Sequence, residues 1–207
     1  MSEPSLLPMF PLGMVLFPYL AIPLHVFEPR YRTLTRDCLD GAGEFGIVLI
    51  ERGREVGGGD KRFGIGTVAR IVEAAQFDDG RWALVVVGTR RIGVTEWLTD
   101  DPYPKAMVQE RQEGAGPVPD EVRERAEREV RRALMLKAEL DEPATPAGFE
   151  LADDPEVAGW QLTGYAPLGP VDQLRLLSED DPELRLSRLA DLCEEEAAVL
   201  AFRLSTG

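Results

Sequence analysis

The dominant spacing of apolar residues changes across Glu113-Gly114-Ala115-Gly116-Pro117-Val118. Before this stretch, one helical stripe after Pro29 apart, they come in short runs or alternate; after it they recur three and four residues apart. A strand shows every second side chain to one face, and a helix buries one stripe per 3.6 residues. One kind of element cannot serve both halves, so the chain reads as α+β. A sheet-forming domain is expected over 1–112 and an α-helical domain over 119–207. The 207 residues suffice for one large domain or two small ones, without metal or disulfide staples.

In the first half, Phe45-Gly46-Ile47-Val48-Leu49-Ile50 is an apolar run of strand length. Ile65, Thr67, Ala69 and Ile71 alternate with Gly66, Val68, Arg70 and Val72, and β-branched residues in both sets predict cover on both faces. Asp79-Gly80 is a hairpin signal, and Trp82-Ala83-Leu84-Val85-Val86-Val87 is the returning core strand. Gly88 and Gly93 flank a stretch that predicts a turn or bulge. Val94–Leu98 and Ala106–Gln109 complete the set. Short strands with glycine and proline turns point to a closed or nearly closed sheet. Gly57-Gly58-Gly59 makes 53–62 a flexible loop.

In the second half, Val122, Ala126, Val130, Ala133, Leu134 and Leu140 mark one face of a long helix. Glu124, Arg125, Glu127, Arg128 and Arg131 predict a solvated, ion-paired opposite side. Pro143 and Pro146 end it. Asp154-Pro155 and Asp181-Pro182 each join a capping oxygen to a proline suited to the first helical turn. The helices they open carry Val157, Trp160 and Leu162, and Leu184, Leu186, Leu189, Leu192 and Cys193. Another helix between them carries Val171, Leu174 and Leu177.

The most distinctive string is Leu24-His25-Val26-Phe27-Glu28-Pro29-Arg30-Tyr31. Two proline-broken apolar runs precede it, Leu7–Leu12 and Val15–Pro18. Leu24, Val26 and Phe27 read as a strand end. Pro29 starts a helix, Glu28 suits its positive end, Tyr31, Leu34, Cys38 and Leu39 form its buried face, and Gly41 stops it. Together with Ile65-Gly66-Thr67-Val68-Ala69, Gly88-Thr89-Arg90-Arg91, Tyr103-Pro104, Trp160-Gln161-Leu162, Gln173–Leu177 and Leu184–Leu189, this order resembles the N-terminal, substrate-binding domain of the Lon protease family. The resemblance covers nearly the whole chain. It implies a small PUA-like β-barrel followed by a C-terminal helical bundle. It also implies a non-catalytic module that binds unfolded or exposed polypeptide segments, as an adaptor or chaperone-like factor whose other partner is a protease.

The residues agree with a non-enzyme. The G-x-x-x-x-G-K-[ST] phosphate loop is absent, no Gly-Lys pair occurs, and the family's Ser-Lys peptidase domain has no counterpart. His25 is the sole histidine, which leaves little for acid–base chemistry. Neither a metal site nor a cofactor is expected, with one His and no Cys-x-x-Cys. Cys38 and Cys193 read as buried free thiols of a cytoplasmic protein. The net charge is −14. Of this, residues 1–112 carry 13 basic and 15 acidic side chains (−2), and residues 113–207 carry 10 and 22 (−12). Acidity on this scale opposes nucleic acid and anionic membranes, and no apolar run is long enough to span a bilayer. The candidate peptide-binding residues are Tyr19 and Leu20, on the connection from Pro18 to Pro23, with His25, Glu28, Arg30 and Tyr31; a loop from Val56 to Arg62 is the expected gate. For Glu28 and Arg30 the competing reading is structural, with Arg30 paired across the barrel. The alternative functions are a hydrolase with a carboxylate site and, by fold analogy, a PUA-like RNA binder.

Overall fold

The computed structural model describes residues 3–52 and 61–206, so most of the expected gating loop lies outside the described residues. The fold is α+β, with a mixed six-stranded sheet and five helices among the described residues. The chain divides into two compact units, Met1–Gln112 and Glu113–Gly207.

The first unit contains β1 (Ser5–Leu12), β2 (Ala21–Val26), α1 (Pro29–Leu39), β3 (Glu44–Arg52), β4 (Lys61–Gln76), β5 (Trp82–Trp97) and β6 (Lys105–Glu110). The strand order is β2-β5-β4-β3-β1-β6, and β6 also pairs with β5. Hydrogen-bonded neighbours therefore run in a complete circuit through β5, β4, β3, β1, β6 and back to β5. Each of these five strands contributes to one apolar cluster, Leu7, Met9, Val48, Val68, Ile92, Ala106 and Val108. Alternate residues of the same strands, including Phe10, Leu12, Phe45, Ile47, Ala69, Leu84 and Val86, join a second cluster under Tyr31, Leu34 and Cys38 of α1. The sheet is thus covered on both faces around Gly66–Ala69 of β4, whereas Arg70 and Val72, expected to share that cover, are exposed.

Strand β5 makes this possible by serving two partners along one edge. Trp82–Val87 pair with β2, and Ile92–Trp97 pair with β6. The sequence divides this element into two strands; the backbone is continuous, with a bulge where Val68 faces Arg90 and Ala69 faces Gly88. Prolines also interrupt less than their positions predict. Pro8 and Pro11 both lie within β1. Pro11 stands where β1 is paired with β3 beyond the end of the β6 ladder, so its missing N–H need not remove a bond. Pro23 is accommodated because β2 has a ladder partner on one side, β5.

Helix α1 buries Tyr31, Leu34, Thr35 and Cys38, whereas Leu39 is exposed, one step past the stripe. Gly43, not Gly41, takes the left-handed conformation after the helix, at φ 70°, and its N–H reaches the Cys38 carbonyl at 2.8 Å. The apolar run ended on Gly41, but the backbone reverses two residues later.

The second unit contains α2 (Asp120–Glu139), α3 (Pro155–Tyr165), α4 (Pro170–Ser178) and α5 (Pro182–Thr206). Ala126, Val130, Ala133 and Leu134 of α2 pack with Leu162, Leu176, Leu186, Leu189, Ala190 and Cys193. Asp154 accepts from the Glu156 and Val157 N–H groups, and Asp181 from those of Glu183 and Leu184, so both Asp-Pro starts are capped as expected. Arg131 is ion-paired as expected, with Glu127 at 2.7 Å, but it is less solvated than expected. It stacks on Phe149 with 4.1 Å to the ring centroid and donates to the Ala147 and Phe149 carbonyls. Arg185 is buried, stacked 3.7 Å over Trp160, paired with Glu113 and bonded to the Glu179 carbonyl at 3.3 Å. Helix α5 shows its leucine period plainly in the sequence, but the use of Arg185 as a core residue has no sequence signal beyond its place between two leucines.

Candidate functional site

Strand β2 and the first turn of α1 form one wall of a cleft of about 190 Å³ in the first unit. Its shape follows from the period of β2. Leu24 and Val26 point into the core, so His25 and Phe27 face outward. Phe27 therefore belongs with His25 and not with the apolar strand end, and it is 52% exposed. Met14, after the end of β1, is 43% exposed and lines the same cleft. The deeper lining is Phe10, Leu12 and Tyr31, all buried. The Phe10 and Tyr31 rings stack at 4.1 Å with 13° between planes, which gives the cleft a stiff aromatic base.

Glu28 caps the α1 start in extended conformation without a side-chain capping bond. Its carboxylate instead accepts from Arg30 Nε at 3.1 Å, and the Arg30 guanidinium lies 4.4 Å from the Tyr31 ring centroid. One Arg30 partner is therefore local, two residues away. The pair and the ring brace one another at the rim of the cleft.

Of the six residues proposed from sequence, His25, Glu28 and Tyr31 line this cleft and Arg30 adjoins it. Tyr19 and Leu20 lie elsewhere. Tyr19 has φ 64° and is 42% exposed; Leu20 is half-buried. The Tyr19 N–H donates to the Gly88 carbonyl at 2.8 Å, and the Gly88 N–H to the Leu20 carbonyl at 2.9 Å. This connection is a clamp on the bulge of β5. Sequence reading missed Met14, Phe27 and the aromatic base. Strict alternation through Leu24-His25-Val26-Phe27 is the signal that identifies Phe27; Met14 has none beyond its position after Gly13.

Glu44 is held between two arginines of the sheet. Glu44 accepts from Arg70 at 2.9 Å and Arg90 at 2.9 Å. Burial would raise its pKa, but the hydrogen bonds from Arg90 and Arg70 and their charges outweigh burial and hold the carboxyl below its ordinary value. It is a structural counter-ion. Burial pushes the Cys38 and Cys193 thiols up to about 12, with Asp37 adding for Cys38 and Glu196 for Cys193, so neither is a ready nucleophile. Among the described residues, no group of three or more His, Cys, Asp or Glu could hold a metal ion, and no helix is long and apolar enough to cross a membrane.

Residues 6–195 match the family model of the ATP-dependent protease La (LON) substrate-binding domain. The chain is 36% identical over 107 residues to a Lon protease of Dictyoglomus thermophilum, covering 51% of this chain and 14% of that protein. It is 28% identical over 207 residues to a Lon protease of Trichlorobacter lovleyi, covering 97% of this chain and 25% of that one. The chain thus spans a quarter or less of either protease. A solved structure described as a Lon N-terminal domain protein from Xanthomonas campestris has 32% identity and a TM-score of 0.65, covering 89% of this chain and 96% of that one.

Proposed function

The chain belongs to the Lon substrate-binding domain family, and on that premise we propose that it is a non-catalytic module that recognises unfolded or exposed polypeptide segments. Its role is that of an adaptor or chaperone-like factor in cytoplasmic proteolysis, with a protease as its second partner. In the same reading the closed circuit of strands is a PUA-like barrel and the four later helices are a bundle. The two units are separate domains, over 1–112 and 119–207.

The cleft beside β2 is the observation that carries the proposal. Met14 and Phe27 present large apolar surfaces to solvent over an aromatic base. Burying such a side chain from full exposure gains roughly 1.5–3 kcal/mol, and covering the half still exposed here gains roughly half of that for each. A client segment lying along β2 would cover both and meet His25, with Glu28 and Arg30 as polar contacts at the rim. Pro23 lacks an N–H, so strand addition along β2 is interrupted and side-chain burial supplies most of the affinity. Tyr19 and Leu20 form a second, smaller contact.

A labelled, permanently unfolded polypeptide titrated into the protein and read by fluorescence anisotropy tests this. Met14→Ser/Phe27→Ser should weaken binding roughly tenfold or more, about 1.4 kcal/mol, with an unchanged melting temperature. Tyr19→Ala/Leu20→Ala should weaken it less. Equal affinity in the Met14→Ser/Phe27→Ser variant would remove the cleft from the account, and no binding by the natural chain would remove polypeptide recognition altogether.

A further inference from the structure

We propose that a separate pocket, between α1 and the β4–β5 turn, binds a phosphate dianion. It encloses about 300 Å³ and is lined by Arg32, Thr33 and Arg36 of α1, with Gln76, Gly80 and Trp82 of the hairpin. No carboxylate lines it, in a protein of net charge −14.

Arg32 and Arg36 stand four apart on one helix, where like charges repel. Among the described residues neither is in a salt bridge, although the Asp79 carboxylate is close enough to Arg32 to feel its charge. Arg36 donates to the Arg32 carbonyl at 3.4 Å and to Thr33 Oγ1 at 3.3 Å. Asp79, the nearby acid, is occupied by Arg81, through its N–H at 3.0 Å and Nε at 2.7 Å. By contrast, Arg62, Arg70, Arg81 and Arg90 of the same unit are each ion-paired. Two adjacent guanidiniums lining one pocket, with at most the shared Asp79 charge beside them, are a charge arrangement that an anion would complete.

Two further features fix the site. Gly80 has φ 79°, and a Cβ there would come within 1.7 Å of Arg32 Nη2. The guanidinium is thus seated directly against the turn, in a place only glycine leaves open. Trp82 Nε1 is buried and has no hydrogen-bond acceptor. An indole N–H can only donate, so it too calls for an acceptor. Two guanidiniums and the indole make a donor-rich set, while Thr33 spends its hydroxyl proton on the Pro29 carbonyl at 3.2 Å and orients Arg36 by accepting from it. Arginine forks match the oxygen spacing of phosphate, and two positive charges balance a dianion, whereas a monocarboxylate would leave one unmatched. The pocket has room for the group that carries the phosphate. That carrier is either a small phosphomonoester or a phosphorylated side chain; the recognised chemistry is the same.

The test is a titration of the full chain with inorganic phosphate against chloride at equal ionic strength, read by melting temperature and tryptophan fluorescence. Phosphate should give a saturable rise in melting temperature and a fluorescence change that chloride does not. Arg36→Gln should abolish both responses. Loss of its charge from the last turn of α1 should lower the phosphate-free melting temperature only slightly, and a cooperative transition in that control separates lost binding from lost folding. O-phosphoserine and a phosphoserine peptide then distinguish the sources: equal affinity assigns a small phosphoester, and tighter peptide binding assigns a phosphorylated chain. A phosphate response matched by chloride, or one retained in Arg36→Gln, would overturn the proposal.

Discussion

Gly88 shows how one residue fixes the geometry of the first unit. A Cβ there would meet the Phe17 carbonyl oxygen at 2.1 Å. Backbone cannot step aside as a flexible side chain can, so Gly88→Ala should cost about 1–3 kcal/mol and loosen the Tyr19–Leu20 clamp; urea unfolding measures the first and amide exchange at Tyr19 the second. Glu44 makes a pH prediction. Its folded pKa is depressed, so its contribution is complete above the unfolded value of about 4.3 and is lost as pH falls through the folded one. Glu44→Gln should therefore be less stable by about 1.5–3 kcal/mol at neutral pH, and the two proteins should converge in stability in acid. Arg185 is the largest charged side chain in the core of the second unit. Arg185→Met, which removes the partner of Glu113, should destabilise by about 3–5 kcal/mol in the same unfolding assay.

At the scale of elements, residues with a local mechanism were legible and residues placed by distant contacts were not. The two Asp-Pro helix starts are local, since the carboxylate bonds to N–H groups two and three residues ahead. Asp154→Ala should accordingly cost about 1 kcal/mol, measurable as a lower melting temperature with α3 fraying first. The continuity of β5 is not local: whether Val94–Trp97 starts a new strand depends on β4 and β6 pairing through the bulge at Gly88. The same holds for β1, where Pro8 and Pro11 read as breaks until the ladder partners are known. The candidate cleft divides in the same way. His25, Glu28, Arg30 and Tyr31 stand out because an acid-proline-arginine-tyrosine helix start follows a strand. Met14 and Phe10 line the cleft only because the folded sheet brings them to the same cavity as β2, which no spacing in the sequence encodes.

At the scale of the whole molecule, the apolar clusters of the described residues divide by unit, two in the first and one in the second. The apolar clusters of the first unit draw only on residues before Gln112, and that of the second only on residues after Glu113. Charge divides at the same place, −2 against −12, so the acidity that opposes nucleic acid belongs to the helical half while the cleft sits in the nearly neutral one. Residues 1–112 expressed alone should give a cooperative β-type transition by circular dichroism. The account rests on the cleft beside β2, and amide chemical-shift mapping of the full chain with an unfolded polypeptide tests it most directly. Shifts concentrated at residues 12–14 and 24–31 are the predicted result. Shifts confined to the α2–α5 helices, or none at saturating polypeptide, would contradict it.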